Sequence, residues 1–182
     1  MMRRPIIEPR RRFFLGCEGE SEQSYGALLQ GIADRLGLRV HIDTVVLGGG
    51  DHFKVIQSAQ DKRRERARRH GPFQLAAVIL DADRVGQIPE RDSGAARAAA
   101  GLHLIWQRPC HEALLLRHLC GPVNRELGTC KEATRLLRRK WPTYAKPIPA
   151  VRLAERITID EVRRVAEADA ELNAFLHALG MT

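Results

Sequence analysis

Phe73-Gln74-Leu75-Ala76-Ala77-Val78-Ile79-Leu80-Asp81-Ala82-Asp83 decides the fold. Residues 73–80 are the most strand-like run of the chain, apolar almost throughout, as a central parallel strand covered on both faces must be. Gly71-Pro72 cuts the run off from what precedes it, and the apolar character stops at two aspartates one residue apart. Upstream, residues 51–70 have a helical pattern, with Phe53, Ile56 and Ala59 at its start and a basic run at its end, where cations suit the helix dipole. Before it, residues 40–47 read as a strand closed by Gly48-Gly49-Gly50. An earlier helix presents Tyr25, Leu28, Leu29, Ile32 and Leu36 on one face and stops at Gly37. The first strand, residues 12–17, runs into the polar turn Glu18-Gly19-Glu20-Ser21-Glu22.

Downstream, a helix around 91–100, a strand at 102–106 and a helix over about 109–120 continue the alternation. From Lys131 the chain reads as helical, with a proline-rich linker at 141–149 and a final helix near 159–179. The expected class is therefore α/β, a Rossmann-like parallel sheet flanked by helices with a helical C-terminal extension. A length of 182 residues suits one domain. The expected organisation is a basic N-terminal arm (1–12), a core domain (13–150) and an extension (151–182) packed on that domain.

A net charge of +8 and a pI near 9.9 attract polyanions at long range, or serve solubility alone. No apolar run approaches the roughly 20 residues of a spanning helix, and Phe13-Phe14-Leu15 is too short for the apolar region of a signal peptide. The expectation is a cytoplasmic protein with no membrane partner. Cys17, Cys110, Cys120 and Cys130 form no CxxC pair and read as reduced core residues.

Ligand sites in open parallel sheets form at the carboxyl ends of strands. Glu18 follows the first strand, and Asp81 and Asp83 follow the third, so three carboxylates can converge on one edge. Oxygen ligands of this kind suit Mg2+ or Mn2+ and phosphate chemistry, with Glu18 or Glu20 assisting proton transfer. The plainer reading is loop carboxylates at helix starts, for which Glu22 is well placed. Glu112 shares a helix face with Leu115, Leu116 and Leu119, so it needs either a metal or a cation such as Arg108 or Arg117. Lys62, Arg63, Arg64, Arg66 and Arg69 are candidate nucleic-acid contacts, with Arg10 to Arg12 and Arg138, Arg139 and Lys140 adding to a groove, or else a solvated helix face. Gly48-Gly49-Gly50 lacks the lysine and hydroxyl of a P-loop and reads as a turn. His111 and His118 share a helix face and either donate protons or pack. Tyr25 and Tyr144 read as core or rim, and 5% aromatic content argues against a base-stacking surface.

Three blocks carry a family resemblance: Cys17-Glu18-Gly19-Glu20-Ser21-Glu22, Ile79-Leu80-Asp81-Ala82-Asp83, and Arg108-Pro109-Cys110-His111-Glu112-Ala113-Leu114-Leu115-Leu116-Arg117-His118. Together with the triple glycine and Tyr144-x-Lys146, they resemble the RloB-like proteins, small members of the TOPRIM class related to OLD-type nucleases. The third block carries Arg108, His111 and Ala113-Leu114 where that family's pattern has asparagine and aromatics. The resemblance implies a TOPRIM-like core over 13–150 with Mg2+ on Glu18, Asp81 and Asp83; Glu112 in its third block is the expected fourth metal-holding, catalytic carboxylate, and Lys146 is the expected sixth nucleic-acid contact. The expected activity is metal-dependent phosphodiester hydrolysis of nucleic acid, in prokaryotic anti-phage defence. The alternative is a non-cleaving nucleic-acid- or nucleotide-binding module that needs a partner protein. Val162, Val165, Leu172, Phe175, Leu176 and Leu179 either close the domain or build a homodimer.

Overall fold

The structure is a computed structural model that describes residues 9–83, 94, 95, 98–119 and 128–182. Four strands, β1 (Arg11–Cys17), β2 (Val40–Val46), β3 (Leu75–Asp81) and β4 (His103–Gln107), form one sheet in the order β2-β1-β3-β4. Every neighbouring pair is parallel, with Phe13 opposite Ile42, Cys17 opposite Ile79 and Asp81 opposite Gln107. The expected parallel α/β sheet is thus present. Seven helices complete the described elements: α1 (Glu20–Arg35), α2 (His52–His70), α3 (His111–Leu119), α4 (Cys130–Lys140), α5 (Ala150–Ala154), α6 (Ile159–Ala166) and α7 (Ala170–Leu179). Gly94, Ala95 and Ala98 are helical, while most of the helix expected around 91–100 lies outside the described residues. Cys120 and the first eight residues also lie outside them.

The period of two along a strand sorts the core into layers. Phe13, Leu15, Cys17, Ala77 and Ile79 face α1, α3 and the C-terminal helices. Phe14, Val78 and Leu80 face Val55, Ile56 and Ala59 of α2. Because β1 and β3 are covered on both sides, residues 13–17 and 75–80 carry no polar side chain apart from the Cys17 thiol. Close approach of α1 to the sheet depends on Gly26, where an added Cβ would lie 2.5 Å from Thr44 Cγ2 and 2.9 Å from Leu15 Cδ2. Alanine favours a helix interior by about 1 kcal/mol over glycine, and overpacking costs about 1–3 kcal/mol. Gly26→Ala is therefore expected to lower stability by about 1 kcal/mol, read as a lower urea midpoint; a higher midpoint would show that the layers yield.

Two boundaries differ from the sequence reading. β1 begins one residue earlier than expected, because Arg11, assigned to the N-terminal arm, pairs with Val40. The single helix expected near 159–179 is two helices, because the Asp169 side chain accepts the Leu172 N–H at 3.0 Å and starts a new helix there. Residues of α5, α6 and α7 join the main core, and Phe175 meets Phe13 edge to face at 6.4 Å.

Candidate functional site

From β1 the chain passes to β2 on one side, and β3 and β4 lie on the other. The order therefore reverses between β1 and β3, and a crevice opens at their carboxyl ends. Glu18 leaves β1 there, and Asp81 ends β3 beside it. The Asp81 N–H donates to Glu18 Oε2 at 2.7 Å. Asp81 Oδ1 is buried with no hydrogen-bond partner among the described residues. Burial raises the Glu18 carboxyl above its usual range, the Asp81 N–H and His52 opposing, Glu22 and Asp83 reinforcing. Burial, then the charges of Glu18, Glu22 and Asp83, push Asp81 up to about 8.

A polar cleft of about 400 Å3 lies over these groups. The turn from Glu18 to Glu22 forms one wall, Gly49, Gly50 and His52 another, with Asp81, Asp83, Lys146 and Pro147 completing it. Glu22 behaves as the sequence allowed for a helix start, accepting the Gly19 N–H at 3.1 Å. Asp83 is exposed, and the Cys130 Sγ at the start of α4 lies 3.9 Å from its Oδ2. The triple glycine forms the loop into α2, whose cap, Asp51, accepts the Lys54 N–H at 3.1 Å.

Glu112 is turned to another task. Its Oε1 pairs with Lys146 Nζ at 2.5 Å and accepts the Tyr144 hydroxyl at 3.3 Å. Burial works against its ionisation, but the hydrogen bond and charge of Lys146 win and hold it below the usual range. It does not line the cleft, and its cation is Lys146 and not the Arg108 or Arg117 suggested by proximity along the helix. Lys146→Ala is expected to leave this carboxylate buried without a cation and to cost about 1–2 kcal/mol, Lys146 itself being half exposed. Adding Glu112→Gln should recover much of the loss in a urea titration; equal stability of wild type and Lys146→Ala would refute this account of the pair.

His52 was not singled out by sequence pattern. Its Nε2 donates to the Asp81 carbonyl at 2.9 Å and its ring stands edge-on to Trp106 at 5.1 Å, so it braces the end of β3. The only signal was its place just after Gly48-Gly49-Gly50-Asp51. His111 and His118 are wholly buried behind the site. His118 stacks on Tyr25 at 5.5 Å and shares a 2.9 Å hydrogen bond with its hydroxyl, and burial pushes it down to about 3. His111 accepts from Gln107 at 2.8 Å, and burial lowers it too. Both are neutral packing residues outside the cleft.

The basic run of α2 lies elsewhere. His52 starts α2 at the cleft, so Lys62 to Arg69 stand roughly 15–25 Å down the helix. Lys62 and Arg69 pair with Glu65, Arg64 with Asp61 and Arg66 with Asp43, while Arg63 donates to the Gly101 carbonyl. Of the six candidate nucleic-acid contacts, Lys146 alone lines the cleft.

Among the described residues, no group of three or more His, Cys, Asp or Glu side chains is arranged to hold a metal ion. The donor chemistry at the switch point nevertheless fits a hard divalent cation. Glu18, Asp81 and Asp83 all line the cleft, and the buried Asp81 Oδ1 has no hydrogen-bond partner among the described residues, the charge of Lys146 only partly offsetting that of the neighbouring carboxylates. The class defined by fold and site is an α/β protein with an all-parallel sheet and an acidic cleft at its switch point. Compared with protein-family models, curated proteins and solved structures, the chain matches none.

Proposed function

We propose that this protein is a divalent-metal-dependent phosphodiester hydrolase of nucleic acid, a TOPRIM-like nuclease with Glu18, Asp81 and Asp83 as its metal-holding carboxylates. The observation that carries the reading is the unpartnered, buried Asp81 Oδ1 beside Glu18 at the point where strand order reverses. Mg2+ or Mn2+, when bound, supplies polarisation of a phosphoryl oxygen and acidification of water. Glu18 orients the end of β3 through the Asp81 N–H, and His52 holds its carbonyl from the other side. Exposed Glu20, at the rim, is placed to accept a proton from water. Lys146 brings a positive charge to a cleft otherwise repulsive to phosphate. A role in prokaryotic defence rests on the RloB-like resemblance alone.

The reading of a non-cleaving module that needs a partner is favoured by two observations: Glu112 is spent on Lys146, and among the described residues no three-ligand group is preformed. Labelled DNA and RNA offered to wild type and Asp81→Asn with Mg2+, Mn2+ or EDTA decide between them. Metal-dependent cutting lost in the variant supports the nuclease; salt-sensitive binding with no cutting supports the module.

A further inference from the structure

Two helices of this chain are strongly basic: α2 starts at the acidic cleft and carries its cations towards its far end, whereas α4 carries a cation in its first turn, beside Asp83. On α4, Lys131, Arg135, Arg138 and Arg139 are all exposed. At about 100° per residue they fall within one arc of roughly 100°, while Ala133 and Leu137 face the core on the opposite side. None of the four has an ion pair or hydrogen bond to any described residue, in contrast to the paired cations of α2. The stripe begins one residue after Cys130, whose thiol meets Asp83, and runs about 13 Å away from it. That span faces about four successive phosphates of one strand.

Resting on the nuclease reading and deepening it, we propose that the Lys131-Arg135-Arg138-Arg139 face of α4 is the docking surface for the nucleic-acid backbone, which it leads into the cleft past Asp83. The occupant is a phosphodiester strand and not a folded acidic protein, because the cations form one stripe along the helix with no apolar residue among them. Carboxylates in the cleft repel a polyanion, so the cations that overcome this must lie next to it. The α4 stripe begins next to it, whereas the first α2 cation of the run stands about 15 Å down its helix.

The test is fluorescence anisotropy with labelled single- and double-stranded DNA and RNA in EDTA, between 50 and 200 mM salt. Wild type is compared with Lys131→Ala/Arg135→Ala/Arg138→Ala/Arg139→Ala and with Lys62→Ala/Arg64→Ala/Arg69→Ala, folding being checked by thermal melting. The α4 variant is expected to bind about 10–100-fold more weakly, with the slope of log affinity against log salt shallower by about 3. The α2 variant is expected to lose several-fold less. Wild-type affinity in the α4 variant, or an equal or larger loss in the α2 variant, overturns the assignment of this face while leaving the nuclease reading standing. Absence of any nucleic-acid binding by wild type at 50 mM salt, with or without binding to phosphatidylserine vesicles, overturns both.

Discussion

Asp81→Asn is expected to abolish metal-dependent cleavage, by about a thousandfold or about 4 kcal/mol of barrier, and to make the protein more stable above neutral pH. The two effects share one cause. Asp81 sits at the end of the central strand, with burial and three neighbouring carboxylates holding its pKa up at about 8. In the unfolded chain an aspartate titrates near about 3.9. Between those values the folded state keeps a proton that the unfolded state releases, so the stabilisation is complete below about pH 4 and is lost as pH rises through about 8. Allowing for partial exposure, the loss is on the order of 2–3 kcal/mol. Asparagine does not ionise and escapes it. Denaturation in EDTA at pH 5 and pH 8.5 should therefore show the wild type weakening with pH much more than the variant. Mg2+ should restore the wild type at pH 8.5 and leave Asp81→Asn unchanged, because an ion stabilises only the state that binds it. Undiminished cleavage by the variant would sink the metal-site reading, and parallel pH dependences would sink the electrostatic one.

Phe175→Ala is expected to cost about 3–5 kcal/mol, a large share of the roughly 5–15 kcal/mol that stabilises an ordinary domain. Phe175 is fully buried and meets Phe13 on β1, so it joins the last helix to the strand that also carries Glu18. Arg11 adds a second tie across the same junction, donating to the Ala178 and Leu179 carbonyls, and His103 on β4 bonds the Glu171 carbonyl at 2.6 Å. Through these contacts the C-terminal helices share the main core with the sheet. Urea unfolding should remain a single transition, shifted as a whole to lower denaturant, when followed by Trp fluorescence and by circular dichroism. Two separated transitions would show that α6 and α7 unfold independently.

Much of the framework was legible. The apolar run before Asp81 could be read as a central strand because burial on both faces removes the need for alternating polar residues, and β3 is covered on both faces. The carboxyl-end rule brings Glu18 and Asp81 together from the sequence alone, and their hydrogen bond follows from the parallel register of Cys17 with Ile79. The break between α6 and α7 was less visible, since apolar spacing runs across it and only the cap made by Asp169 interrupts the helix.

Partnership was the part that spacing concealed. Glu112 has two arginines near it in sequence, yet a lysine 34 residues on takes it, because the segment carrying Tyr144 and Lys146 folds back over α3. His52 carries no motif, and its hold on the Asp81 carbonyl exists only once α2 starts beside β3. The basic run of α2 is the densest in the chain, but density says nothing of distance from the cleft.

The sequence by itself determined which segments become strands and helices, which of their faces are apolar, and that carboxylates collect at strand ends, because periodicity and turn chemistry are local properties of the chain. Tertiary structure alone decided which carboxylate is left without a partner and which is neutralised, and which of two basic helices carries its cations from the cleft outward. Those outcomes depend on distances between elements far apart in sequence, and both burial and Coulomb interaction are set by those distances.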